Sequence, residues 1–254
     1  MKRTTHDVLC VRIGTIQAMS PAYKRILLKL SGEVFCRAHE HGIDHTAVEE
    51  VAKRIHEVAK SGVQLVIVVG GGNIWRSRDN KDAGIERTVS DAMGMLATIM
   101  NSVALQSSLE RQGTTVRVMS AVHVPQLAEP YIRRRAIRHL QKGRVVICAG
   151  GTGNPFFTTD SAAALRALEL DCNVVLKATD VDGVYDKDPQ KFKNATMYKK
   201  MSFQEAIEKQ VQVMDQAAFS LCMERKLPIR VFNFFLKGTL LAAAKGKDVG
   251  TLVQ

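Results

Sequence analysis

The sequence predicts a three-layer α/β/α sandwich built on a mostly parallel central sheet. Short β-branched apolar runs, among them residues 63–69, 145–147 and 173–177, read as strands covered on both faces. Stretches of helical periodicity separate them, which implies crossover connections and parallel neighbours. The runs 24–30, 63–69 and 145–147 lead into glycines, and ligands of such sheets gather at the carboxyl ends of the strands. At 254 residues, 46% of them hydrophobic and 24% charged, the chain is long enough for a sizeable core and has the balance of a globular protein.

The net charge of +11 points to anionic ligands such as nucleotides or phosphorylated metabolites. Aromatic residues make up only 6%, which argues against a broad base-stacking surface, so nucleic acid is not the expected partner. The cysteines (Cys10, Cys36, Cys148, Cys172 and Cys222) are odd in number and lack CxxC spacing. That fits a reducing compartment without a structural zinc site. No apolar run is long enough to span a bilayer, so no membrane partner is expected.

Residues 1–22 show neither a helical stripe nor strand alternation, and no apolar segment of signal-peptide length. They are expected to form a flexible extension, with Met19 as an alternative start, ahead of one domain over 23–254. Residues 24–30 form the first strand. Lys29 lies near its end, before Ser31 and Gly32; a lysine in a buried strand is costly unless its ammonium meets an anion. Asp44 caps a helix to about residue 60, with Val48, Val51, Ala52, Ile55, Val58 and Ala59 as its apolar face and Gly62 as its stop. The loop 36–41 holds Cys36, His39 and His41 but no fourth ligand at metal-site spacing, so it reads as a surface loop. The second strand, 63–69, exits through Gly70, Gly71, Gly72 and Asn73 towards Arg76, a guanidinium suited to phosphate. Neither GxGxxG nor GxxxxGK[ST] occurs. Trp75 reads as a packing residue.

Residues 88–111 form a long helix with Met93, Met95, Leu96, Ile99, Met100, Val103 and Leu105 as a wide apolar surface, suited to core or subunit contact. Asp91 falls in its first turn. A third strand follows at 116–119. Pro130 is expected to open a helix in which Arg133, Arg134, Arg135, Arg138, Lys142 and Arg144 face no acidic residue; without interleaved aromatics it reads as a solvated or subunit-facing helix.

The central stretch, 145–163, is VVICAGGTGNPFFTTDSAA. A buried strand runs through Gly150, Gly151 and Gly153 into a loop, and Thr158, Thr159, Asp160 and Ser161 cap the next helix. A strand leading through glycines to a helix N-terminus suits a phosphate. Glycines alone would make an ordinary turn; Thr152, Asn154, Thr158, Thr159 and Asp160 crowded into the same loop favour a ligand site. The strand 173–177 leads to the turn pairs Asp182-Gly183 and Asp188-Pro189, with Tyr185 between them for stacking on a base. Two helices are expected within 201–226, a strand at 229–232, a helix at 236–244 and a closing strand at 251–253.

KRILLKLSG, GGGNIWR, DAMGMLATIMN, GRVVICAGGTGNPFFTTDSAAALRA, VVLKATDVDGVYDKDP and LPIRVFN, in this order, resemble the bacterial uridylate (UMP) kinases, a branch of the amino-acid kinase superfamily. The likeness runs from about Tyr23 to the C-terminus, and TGNPFFTTD is its most specific motif. The resemblance implies the amino-acid kinase fold and transfer of the ATP γ-phosphoryl group to UMP in pyrimidine nucleotide synthesis. It also implies Mg²⁺ carried by ATP, a cytoplasmic homohexamer, and inhibition by UTP. By matching motifs, Lys29, Leu30, Ser31, Gly32, Gly72, Arg76, Thr179, Tyr185 and Asp188 would bind ATP. Gly71, Asp91, Thr152, Gly153, Asn154, Pro155, Phe156, Phe157, Thr158 and Thr159 would bind UMP, with Asp91 at the ribose. Lys29 and Asp160 would be the catalytic pair, and no side chain is assigned to the metal.

UMP brings its own anionic oxygen nucleophile, so the task is alignment and charge neutralisation rather than base catalysis. CRAHEHG stands where GTP-regulated members carry glycines, and Gln106 and Glu110 replace basic residues of enteric relatives. Both features count against GTP activation. The rivals are a kinase of the same fold acting on carbamate, an amino-acid carboxylate or isopentenyl phosphate, and a non-catalytic anion binder.

Overall fold

The computed structural model describes residues 23–37, 40–76 and 84–254; the extension expected over 1–22, the alternative start at Met19 and His39 of the loop lie outside the described residues. Strand β1 (Arg25–Leu30) leads through a 3₁₀ turn (Gly32–Phe35) to α1 (His45–Ala59). Asp44 caps α1 by accepting from the Ala47 N–H at 2.8 Å, as the sequence implies. Then come β2 (Gln64–Val69), the long α2 (Arg87–Arg111), β3 (Val116–Ser120), β4 (Glu129–Pro130), α3 (Arg133–Gln141) and β5 (Val145–Ala149). After the glycine loop follow α4 (Thr159–Glu169), β6 (Val174–Thr179) and the ribbon of β7 (Val184–Tyr185) with β8 (Met197–Tyr198). The chain continues through β9 (Lys200–Met201), α5 (Phe203–Glu208), α6 (Gln216–Glu224), β10 (Ile229–Asn233), α7 (Thr239–Ala244) and β11 (Thr251–Val253).

The large sheet has the order β4-β3-β5-β2-β1-β6-β10-β11-β9. Its neighbours are parallel except for the antiparallel pair β10/β11. Strand alternation divides the core into two layers. Ile26, Leu28, Leu30, Leu65, Ile67 and Val69 face α1, α2 and α7. Leu27, Val66, Val68, Val146 and Val175 face α3, α4, α5 and α6. The chain turns one way from β1 to β2 and later returns to β6 on the other side of β1. This switch opens a crevice at the carboxyl ends of β1, β2 and β6.

Three expectations are corrected. Pro130 belongs to β4, because the next residue, Tyr131, still bonds through its N–H to the Ser120 carbonyl at 2.9 Å and prolongs the strand pairing; α3 begins only at Arg133. Asp91 lies just past the first turn of α2, which starts at Arg87. The basic helix also has an acidic neighbour: Arg133 reaches Asp171 at 2.8 Å, a contact between residues distant in sequence.

Strands β10 and β11 close around Gly250, whose φ is +64° and whose missing Cβ would run into the Val231 carbonyl. Gly250→Ala is therefore expected to lower unfolding stability by about 2–4 kcal/mol, combining a left-handed backbone with overpacking. Urea denaturation measures it, and a midpoint equal to wild type would show that the β10/β11 contact relaxes freely.

Candidate active site

Lys29 in β1 and Lys177 in β6 are direct register partners across the parallel pair. Alternation points both toward the α4 layer, two residues beyond Leu27 and Val175. Asp160, in the first turn of α4, lies between them: Lys29 Nζ is 2.7 Å from Oδ1 and Lys177 Nζ is 2.9 Å from Oδ2. Lys177 also donates to the Val213 carbonyl at 2.6 Å. The three side chains are only 12%, 18% and 13% exposed for Lys29, Lys177 and Asp160. Two ammonium groups against one carboxylate leave an excess of positive charge, which suits a phosphate.

The glycine turn delivers Asp160 to this point. Gly150 has φ +75°, a Cβ there would lie 2.9 Å from the Val122 nitrogen, and its N–H is held by Thr98 of α2 at 2.8 Å. Thr158 caps α4 by accepting from the Asp160 and Ser161 N–H groups at 3.0 and 3.3 Å. Its own hydroxyl donates to Asp215. Asp215 also accepts from the Ser161 hydroxyl at 3.1 Å and caps α6 through the Ala218 N–H at 3.0 Å. One carboxylate thus fastens the start of α4 to the start of α6.

At the neighbouring exit Gly32 faces the β2 glycines so closely that a Cβ would lie 2.7 Å from the Gly72 nitrogen. Asn101 of α2 holds this crossing, donating to the Gly70 carbonyl at 2.8 Å and to Asn73 Oδ1 at 2.7 Å. Arg76 bonds the Gly72 carbonyl and Glu33, each at 2.7 Å.

Burial alone would raise the Asp160 pKa, but Lys29 and Lys177 outweigh it and hold the carboxyl below its usual range. Burial lowers the Lys177 pKa below the lysine range, opposed by Asp160 and reinforced by Lys29.

The expected residues divide among four hollows. An 880 Å³ groove is lined by Lys29, Ser31, Arg76, Lys177 and Thr179, together with Glu33, Cys36, His41 and Phe235. A 520 Å³ hollow beyond it takes in Lys177, Thr179, Tyr185 and Asp188. A 700 Å³ cleft reaches Asp160 and Lys177 from between α5 and α6. On the α2 side, a 230 Å³ pocket is lined by Gly71, Trp75, Arg87, Asp91, Met95, Thr152, Asn154, Phe157, Thr158 and Thr159. The last of these residues precedes Asp160 in the chain. Leu30 is fully buried, with its carbonyl accepting from the Gly70 N–H, and Gly32 is buried as well. Gly72 sits beside Arg76. Gly153 has φ +81° and Phe156 φ +71°. Pro155 joins Asn154 to Phe156, whose ring is exposed.

Lys177, Val213 and Asp215 were not singled out by the sequence reading. Lys177 carried the same signal as Lys29, a lysine at the end of an apolar strand. Trp75, read as packing, in fact walls the 230 Å³ pocket while donating to Ser90 at 2.9 Å. For Asp215 the sequence offers only a helix cap; its hold on α4 is a contact between segments far apart in the chain.

The model of the amino acid kinase family matches residues 24–233. Among solved structures, the UMP kinase of Bacillus anthracis is 40% identical with a TM-score of 0.89, over 92% of this chain and 97% of that one. The UMP kinase of Ureaplasma parvum is 34% identical with a TM-score of 0.86, over 91% and 98%. The uridylate kinase of Archaeoglobus fulgidus is 29% identical with a TM-score of 0.70, over 90% and 99%.

Unfolded, Lys177 keeps its proton up to about pH 10.4; folded, it releases it earlier. Between the two values the unfolded chain binds more protons, so this residue's contribution to stability rises with pH. For Asp160 the depressed pKa gives stability that is present at neutral pH and lost as pH falls through the folded value. In spectra of ¹³C-labelled lysine, Lys177 should titrate below the bulk of the lysines; titration together with them would rule out a desolvated ammonium.

Proposed function

The chain belongs to the amino acid kinase family, and we propose that it transfers the γ-phosphoryl group of ATP to UMP, giving ADP and UDP. The observation that carries this reading is the Lys29–Asp160–Lys177 cluster, placed between a long groove and a smaller pocket walled by the TGNPFFTTD loop. ATP occupies the groove, with its phosphates at Lys29, Leu30, Ser31, Gly32, Gly72 and Arg76 and its nucleoside toward Thr179, Tyr185 and Asp188. UMP occupies the pocket, among Gly71, Asp91 and the loop from Thr152 to Thr159.

An oxygen of the UMP phosphate forms the new bond to γ-phosphorus as the bond from that phosphorus to the β,γ-bridging oxygen of ATP breaks. No proton has to be removed from the attacking oxygen, so Asp160 acts as an organiser. It fixes the two ammonium groups on the path of the transferred phosphoryl, where negative charge spreads over the equatorial oxygens. Lys29 and Lys177 need no rearrangement at the moment of transfer. The start of α4 adds its dipole to the same region.

Among the described residues, no group of three or more His, Cys, Asp or Glu is placed to hold a metal ion. Both Asp160 oxygens are engaged by lysines. We propose that Mg²⁺ enters as part of the ATP substrate, where it would neutralise phosphate charge.

We further propose a cytoplasmic homohexamer acting in pyrimidine nucleotide synthesis, with UTP as inhibitor. No described helix is long and apolar enough to cross a membrane, and Cys36, Cys148, Cys172 and Cys222 are free thiols. The long helix supports a subunit contact. Its apolar surface splits in two: Ile99 and Leu105 enter the core, whereas Val89, Leu96, Met100 and Val103 are exposed, at 50%, 52%, 54% and 37%. With half-buried Met93 these repeat at alternating spacings of four and three, the seam of a helix pair.

Lys29→Ala should lower turnover by roughly 10²–10³-fold with its melting temperature retained. Near-normal turnover would remove Lys29 from the mechanism. In a coupled assay, wild type should phosphorylate UMP but not carbamate, amino-acid carboxylates or isopentenyl phosphate. Absence of ADP formation from ATP and UMP at every magnesium concentration would overturn the kinase reading. Met100→Glu should shift the sedimentation coefficient to a smaller species; unchanged sedimentation would exclude this face as the contact.

A further inference from the structure

We propose that Arg87 is a positioning residue for the acceptor nucleotide: through Asp91 it holds the 152–159 loop in its receiving turn. The inference rests on the reading of the 230 Å³ pocket as the acceptor site. Arg87 and Asp91 stand one turn apart on α2, and Arg87 Nε lies 2.9 Å from both Asp91 oxygens. Asp91 Oδ2 in turn accepts the Phe156 N–H at 2.8 Å. Both residues line the pocket, and Arg87 is the one Lys, Arg or His among its described lining residues.

Phe156 is where such a hold is needed. Its φ of +71° is a conformation that a side chain with a Cβ adopts only under constraint. The constraint is not burial of the ring, which is 66% exposed. It is the backbone N–H reaching across to α2. Helix stability does not explain Arg87 either: a cation in the first turn of a helix opposes the macrodipole. Its function lies in orienting the carboxylate four residues on.

The consequence falls on binding and not on transfer. Without the guanidinium, the Asp91 carboxylate loses this hold on its orientation, and the constraint on Phe156 weakens. The loop then spends less time in the turn that receives UMP. Apparent affinity drops by the fraction still competent, while a complex that has formed keeps the same phosphoryl-transfer geometry. The ATP groove, on the other side of Lys29 and Asp160, is unaffected.

The test compares wild type, Arg87→Ala, Arg87→Lys and the double variant Arg87→Ala/Phe156→Gly. UMP binding is titrated by the fluorescence of Trp75, the single tryptophan, which lines the same pocket. Steady-state kinetics and melting temperatures accompany it. Arg87→Ala should raise Kd and KM for UMP about tenfold, with KM for ATP and kcat within about twofold and the melting temperature unchanged. Arg87→Lys, which keeps the charge without the planar fork, should fall between. The double variant should recover part of the lost affinity, since glycine adopts a positive φ without strain. A Kd for UMP within twofold of wild type in both single variants overturns the proposal. So does a loss of kcat at unchanged Kd, or a double variant no better than Arg87→Ala. If wild type itself neither binds nor phosphorylates UMP, the acceptor reading has failed; if it does both and Arg87→Ala matches it, only the role of Arg87 has.

Discussion

The carboxylate of Asp160, held between two lysines, is the constraint on which the rest of this structure depends. Lys29 and Lys177 lie side by side on adjacent strands, so like charges are forced together in a poorly solvated place. Neither ammonium is tolerable there without a counter-charge, and removing Asp160 would leave both uncompensated at a cost of about 3–5 kcal/mol. Asp160 supplies one negative charge where two are needed. In the proposed reaction, a transferring phosphoryl group would complete the neutralisation that the protein leaves unfinished.

Close backbone contacts serve this cluster. The glycines after β1 and β2 let two strand exits meet without side chains between them, and the Asn101–Asn73 pair fixes that meeting to α2. The glycines after β5 turn the chain back so that α4 begins above the lysines. Asp215 then ties this helix start to α6, so the Asp160 carboxylate is anchored by an element that follows it by some fifty residues. The arrangement costs a strained turn at Phe156 and a buried lysine of lowered pKa, both at the site.

Helix α2 links three roles through its faces. Ile99, Leu105 and Leu109 lie in the core, Asp91, Met95 and Thr98 border the 230 Å³ pocket, and Leu96, Met100 and Val103 look outward. A methionine-rich helix read as one wide apolar surface therefore has two apolar sides with different partners. The side toward the sheet is partly polar, with Asn101, Ser102 and Ser108 buried. Asn101 holds a glycine turn and Ser102 bonds back to its own helix, which hydropathy does not reveal.

The resemblance to the UMP kinases is what pairs Lys29 with Asp160 as catalytic groups; local chemistry in the chain was sufficient for the layered parallel architecture, most element positions, the Asp44 and Thr158 caps and Lys29 as an anion contact. Each follows from residues close in sequence: alternation, periodicity, turn glycines and the cost of a buried charge. Tertiary structure alone decided that Lys177 completes the pair, that Asp215 secures α4, that Pro130 sits in a strand, and that Arg133 has an acidic partner. Those are contacts between segments far apart in the chain, settled by sheet register and helix docking, and the sequence of any one segment does not encode which other segment will lie against it.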